Sequence, residues 1–236
     1  MTKKIFSFLF LLCLLPAGLG FGEANGSAVH AEGISARRWY NYDRSSYFGI
    51  RVGLNVPRFY HRGFENGPET KPLSLINAGI VFGNRVGRTV PLYFETGLLY
   101  SEKGAKFEAT PDVERKTYNL KYLELPLVFK YKADVGFDDL TVQPYFGGFL
   151  ACGVAGNVKL YEQRIKENPF SDQYLKRFDA GFRIGLGMAF QNFYLDFCYD
   201  IGMNNIAAKD FHDYNYDDFD GRIRTGCFTA SIGLDF

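Results

Sequence analysis

The 236 residues carry 27 Lys and Arg against 26 Asp and Glu, a net charge of +1, with 24 Phe, 16 Tyr, 26 Gly and one Trp. That balance removes the electrostatic basis for binding nucleic acid, and none is expected as a partner. Beyond the N-terminal leader no apolar run is long enough for a membrane helix, so only strands are left as a way across a bilayer.

The leader reads as a secretory signal. Lys3 and Lys4 precede an apolar run from Ile5 to Leu15, interrupted only by Ser7 and ended by Pro16. The run is too short to span a bilayer as a helix and has a signal's flanks. Val29-His30-Ala31 offers small residues at the spacing a signal peptidase needs, which places cleavage after Ala31, with Ala17 to Gly20 as an earlier option. Cys13 lies inside the apolar run and follows Phe10-Leu11-Leu12, without the small residue expected ahead of a lipid-modified cysteine. The expected division is a signal at 1–31, a periplasmic segment at 32–46 and one domain at 47–236.

Eight segments then alternate apolar and polar residues, the period-2 pattern of strands with two unlike faces. Phe48 to Val56 sets Phe48, Ile50, Val52, Leu54 and Val56 against Gly49, Arg51, Gly53 and Asn55. Ser74 to Phe82 groups Ile76, Ala78, Ile80 and Phe82. Leu92 to Tyr100 sets Leu92, Phe94, Leu98 and Tyr100 against Glu95 and Gly97. Tyr118 to Tyr131 sets Leu123, Leu125, Leu127, Phe129 and Tyr131 against Glu124 and Lys130. Thr141 to Val154 is Gly-rich, and its faces stay unassigned. Phe178 to Phe190 alternates most cleanly, with Asp179, Gly181, Arg183, Gly185 and Gly187 on the polar side. Phe193 to Ile201 sets Leu195, Phe197, Tyr199 and Ile201 against Asp196 and Asp200. In Gly226 to Phe236, finally, Phe228, Ala230, Ile232, Leu234 and Phe236 oppose Thr229, Ser231, Gly233 and Asp235.

The connections alternate in length. Pro57 to Pro72, Glu102 to Thr117, Ala155 to Arg177 and Met203 to Gly221 are long and polar, whereas Gly83 to Val90, Lys132 to Leu140 and Gln191-Asn192 are short. The pattern predicts an all-β fold: an eight-stranded antiparallel transmembrane β-barrel with four long outer loops, short periplasmic turns and both termini periplasmic, in the bacterial outer membrane. Outer-membrane lipid is then the partner of the apolar faces. Phe228 and the terminal Phe236 read as the signal for the barrel-assembly machinery. A soluble eight-stranded barrel that turns its apolar faces inward around a ligand is the rival fold.

Several of these segments also resemble a known family. Phe94 to Gly104 (FETGLLYSEKG), Tyr122 to Leu127 (YLELPL), Asp179 to Gly187 and Asp196 to Asn205 (DFCYDIGMNN) are similar to the PorT-like outer-membrane barrel family of the Bacteroidetes, across roughly the whole mature chain. The resemblance implies an integral outer-membrane barrel. Because the founding member acts in secretion of surface proteins, it also implies an accessory role in secretion or uptake as an alternative.

Candidate functional residues fall on the inferred inner faces. Arg51, Glu95, Glu124, Lys130, Arg183, Asp196 and Asp200 form a lumenal charge cluster that has to pair, because the interior of an eight-stranded barrel is only wide enough for its own side chains. A salt-bridged plug is the expected outcome; a narrow gated path and a carboxylate-based catalytic site are the alternatives. Cys198 and Cys227 fall nearly opposite each other on neighbouring strands, where an oxidising compartment would allow a disulfide. His61 with Ser101 and Glu102 is the one arrangement that could serve ester chemistry. The aromatic and acidic stretch Asp210 to Asp220 (DFHDYNYDDFD) lacks the ligand spacing of a calcium loop and suits contact with surface glycans. No cofactor or metal is expected, and the favoured function is non-enzymatic.

Overall fold

The computed structural model describes residues 45–62, 70–71, 73–87, 89–107, 116–136, 140–160, 166–167, 169–170, 175–207 and 222–236. The leader and the Asp210 to Asp220 stretch lie outside the described residues.

Eight long strands follow one another: β1 Ser46–Arg62, β2 Leu75–Arg85, β3 Leu92–Phe107, β4 Lys116–Tyr131, β5 Leu140–Leu160, β6 Phe178–Phe190, β7 Phe193–Gly202 and β8 Arg222–Asp235. Each pairs antiparallel with the next, and β8 pairs with β1, so the sheet closes into a barrel. The closure is completed by reciprocal backbone bonds between Phe48 and Phe236, at 3.1 and 2.7 Å. A row of directly opposed residues runs from Phe48 through Phe82, Thr96, Leu127, Gly148, Phe182, Ile201 and Gly226, and returns to β1 at Arg58, ten residues further along. That stagger inclines the strands by roughly 40° and leaves an interior that side chains can fill.

The face assignments read from alternation hold. Phe48, Ile50, Val52 and Leu54 of β1, Phe182 and Ile184 of β6, and Phe228 and Ile232 of β8 are exposed on the outer wall, while Arg51, Asn55, Arg183, Thr229 and Ser231 are buried inside. Along β6 the outward side chains are apolar from Phe178 to Phe190, about 30 Å along the barrel axis, which matches a bilayer's hydrocarbon core. The inward-facing ligand barrel is excluded, since the apolar faces point out.

Several boundaries differ from the sequence reading, among them the long-loop ends of β1 and β3. β1 runs on through Pro57 to Arg62, paired with β8 as far as Arg62 opposite Arg222, and β3 continues from Tyr100 to Phe107. In both, the hydrogen-bonded ladder outlasts the apolar alternation that marks the lipid zone. β5, whose faces could not be assigned, contains the cause of that difficulty. Lys121 stands opposite Ala155 and Tyr122 opposite Gly153, so Val154 is an extra residue. A bulge of this kind inverts the inside–outside parity beyond it. Tyr145, Phe149 and Ala151 are buried before the bulge and Val158 after it.

Candidate functional site

The interior holds two ionic groups at different heights. The first sits towards the long-loop end. Arg183 Nε and Nη2 donate to the two carboxylate oxygens of Asp200 at 2.7 and 2.8 Å, and Arg183 Nη2 also bonds Glu124. Lys103 Nζ lies 2.8 Å from the other Glu124 oxygen and 3.4 Å from Asp200. Two cations and two anions thus close a ring in which every carboxylate meets both cations. Strand register builds it, because Asp200 stands opposite Arg183 and the strands carrying Lys103 and Glu124 are paired neighbours. All four side chains are almost fully buried. Beside it Thr225 donates a 2.6 Å hydrogen bond to the buried Asp179.

The second group lies towards the short-turn end. Glu95 accepts from Lys130 at 2.7 Å and from the Tyr47 hydroxyl at 2.5 Å, and Arg51 reaches Asp235 at 2.6 Å. Aromatic faces carry much of the cationic charge here. The Arg51 guanidinium lies 3.9 Å from the Tyr194 ring centre, Lys130 is 4.6 Å from the same ring, and Lys132 sits 4.0 and 4.3 Å from Tyr47 and Tyr93. Such contacts stabilise desolvated cations by about 2 kcal/mol. Tyr194 lies flat against the wall over Gly187, where any Cβ would collide with its ring.

Asp196 stands between the groups. Both its oxygens accept from Tyr145 at 2.9 Å, and it borders a cavity of about 30 Å³ whose walls include Arg51, Glu95, Arg183, Tyr194 and Cys198. That volume has room for one or two waters and nothing larger. At the long-loop mouth the interior turns apolar. Phe59, Leu120, Tyr122, Phe149 and Ile223 of the strands pack with Phe170, Leu175, Ile206 and Ala207 of the connections. Backbone bonds tie this cap down: Leu175 and Ala207 form a bridge, Ile206 N donates to Ile223 O at 3.0 Å, and Lys176 N donates to Ile206 O at 2.8 Å.

All seven residues of the anticipated lumenal charge cluster thus face the interior, in two groups rather than one. Glu124, Arg183 and Asp200 meet in the first, Arg51, Glu95 and Lys130 in the second, and Asp196 lies between them. Lys103 was missed because it lies past the end of β3's apolar alternation, although Ser101, Lys103 and Ala105 continue the inward phase. The tyrosine supports were missed because counting tyrosine as apolar hides an inward-facing one. The cysteine pair needs correction: Cys198 faces Thr229 and Cys227 faces Asp200, so the two are offset along the strands, and both are free thiols. The ester arrangement also fails. Ser101 is buried inside and accepts from Asn55 at 2.9 Å, whereas the neighbouring Glu102 accepts from Tyr100 on the outer face, so the two lie on opposite sides of the wall; the side chain of His61 lies outside the described residues. Phe228 and Phe236, the residues expected to form an assembly signal, are both exposed on the outer wall, and Phe236 makes the closing bonds to Phe48.

A filled, closed barrel with an apolar belt agrees with the comparison to known families, where residues 31–208 match the model of the outer membrane protein beta-barrel domain. The chain belongs to that family. The barrel is therefore an outer-membrane one. Among solved structures it is similar to a major outer membrane protein from Thermus thermophilus (14% identity, 82% of this chain and 100% of that one, TM-score 0.48). It is also similar to Neisserial surface protein A (15% identity, 82% and 98%, TM-score 0.46) and to OprG from Pseudomonas aeruginosa (10% identity, 81% and 96%, TM-score 0.46). No curated protein sequence matches the chain.

Proposed function

We propose that this outer-membrane barrel is a non-enzymatic, non-conducting wall element that acts through its long outer loops, with both termini in the periplasm. The observation that carries the reading is the filled interior: two ionic groups, a cavity of about 30 Å³ between them and an apolar cap over the long-loop mouth leave no continuous polar path among the described residues. Function is then displaced to the loops, where the acidic and aromatic Asp210 to Asp220 stretch suits surface glycans.

The PorT-like resemblance has an architectural explanation. In Tyr122 to Leu127, Glu124 closes the four-membered ionic ring, Tyr122 packs edge-on against Phe170 in the cap, and Leu123 and Leu127 face outward. Residues shared for those reasons carry the barrel's construction, and they lend no support to transferring a secretion role. The test is affinity isolation of the full-length protein from gently solubilised envelopes, with cysteines placed in the 108–115 connection labelled on intact cells. The account expects surface labelling and no stoichiometric secretion or uptake partner. A stable complex with such a machine would overturn the first reading in favour of the accessory one.

A further inference from the structure

The two rims of the outer wall differ in charge. At the short-turn end, the described outward-facing positions of the eight strands carry no charge: Ser46, Asn84, Leu92, Tyr131, Phe190, Phe193 and Phe236 occupy it. At the long-loop end the apolar run of β1 stops at Val56 and is followed outward by Arg58 and Tyr60, while that of β8 stops at Phe228 and is followed by Gly226 and Arg224. Lys106, Lys121 and Lys159 continue the basic rim on β3, β4 and β5, and Glu102, opposite Lys121, is the outward carboxylate among the described strand residues. The β8–β1 sector therefore presents two arginines with no acidic counterpart among the described residues.

That sector has a built floor. Tyr60 and Tyr199 lean towards each other across β8 until their hydroxyls are 2.5 Å apart, and they lie over Gly226, where a Cβ would collide with the Tyr60 ring. Arg58 stands directly opposite Gly226, and Arg224 directly opposite Tyr60. Below the hydroxyl pair Phe197 and Phe228 stack at 6.4 Å within the apolar belt. Arginines at this height keep their stems on the apolar wall and their heads in the headgroup layer. They suit phosphate, which a guanidinium binds through two hydrogen bonds.

We propose that Arg58 and Arg224, with the Tyr60–Tyr199 hydroxyl pair between them, form a binding site on the outer wall for the phosphate of an anionic lipid headgroup in the leaflet at the long-loop end. This deepens the reading that the long loops face outward, since it assigns that rim to the phosphate-rich leaflet. The uncharged opposite rim fits a leaflet where no such contact is made.

The experiment places the full-length protein in phosphatidylcholine nanodiscs containing diphosphoryl lipid A and reads retained lipid by native mass spectrometry. Wild type should retain the phosphorylated lipid in preference to phosphatidylcholine. R58Q/R224Q should weaken that preference roughly thirtyfold, about fivefold for each arginine. K159Q, altering a rim cation away from the tyrosine pair, should change it less than either arginine variant. Folding of each variant is checked by its shift in gel mobility on heating. Equal retention by wild type and a folded R58Q/R224Q would overturn the proposal, as would wild type showing no preference for the phosphorylated lipid. Complete displacement by inorganic phosphate at equal concentration would overturn the lipid source. Surface labelling of the long loops is scored separately: if it succeeds while lipid preference is absent, the lipid site alone fails.

Discussion

The two ionic groups inside the barrel solve one problem in different ways. Around Arg183, charge is cancelled by charge: Lys103, Glu124, Arg183 and Asp200 form a neutral ring, and removing any member leaves one buried charge uncompensated. Around Arg51, charge is shared with aromatic faces and hydroxyls, and Glu95, Lys130 and Arg51 each keep a contact when one partner is lost. A reciprocal ring concentrates the cost of a lesion, whereas an aromatic-supported group spreads it.

That contrast can be broken most severely at Glu124. Glu124→Gln leaves Arg183 and Lys103 short of an anion in the ring, and should cost about 3–5 kcal/mol, read as lost folded fraction in urea titrations in detergent micelles. Next comes the same guanidinium on the wrong side of the wall. Ile184→Arg places a cation one residue from Arg183 but facing lipid near mid-depth, and should cost about 2–4 kcal/mol in the same titration carried out in vesicles. An unchanged folded fraction would reject the face assignment of β6.

The second group should respond more mildly. Glu95→Gln should cost about 1–3 kcal/mol, because Lys130 retains the Tyr194 hydroxyl at 2.8 Å and Arg51 retains Asp235. A loss equal to that of Glu124→Gln would remove the distinction between the groups. The smallest effect is assigned to Tyr194→Phe, which deletes a hydroxyl but keeps the ring under Arg51 and Lys130, and should cost about 1 kcal/mol. A much larger loss would mean that the hydroxyl, and not the ring face, holds Lys130.

How much of this was readable beforehand follows from where alternation is a faithful reporter. β6 has the bounds the pattern predicts, Phe178–Phe190, because bulky apolar residues alternate there without interruption against Asp, Arg and Gly. The charges on inner faces followed from the same parity, down to Arg51 and Asp200. Alternation fails where its physical cause is absent. Lys103 lies beyond the lipid zone, where outward positions no longer need to be apolar, so the strand continues while its signature fades. Phe149 faces inward and Val154 is a bulge residue, and together they scramble the faces of β5. Pairing between charges was not readable either. It depends on the stagger of ten residues and on the offset that keeps Cys198 from facing Cys227, and neither is written in any one strand.

The central claim is that the barrel is plugged, and single-channel recording of the full-length protein in planar bilayers tests it most directly. The account predicts a flat current trace from protein whose insertion is verified independently. Discrete conductance steps that depend on the amount of inserted protein would show a continuous polar path past Glu124 and Arg183 and contradict it.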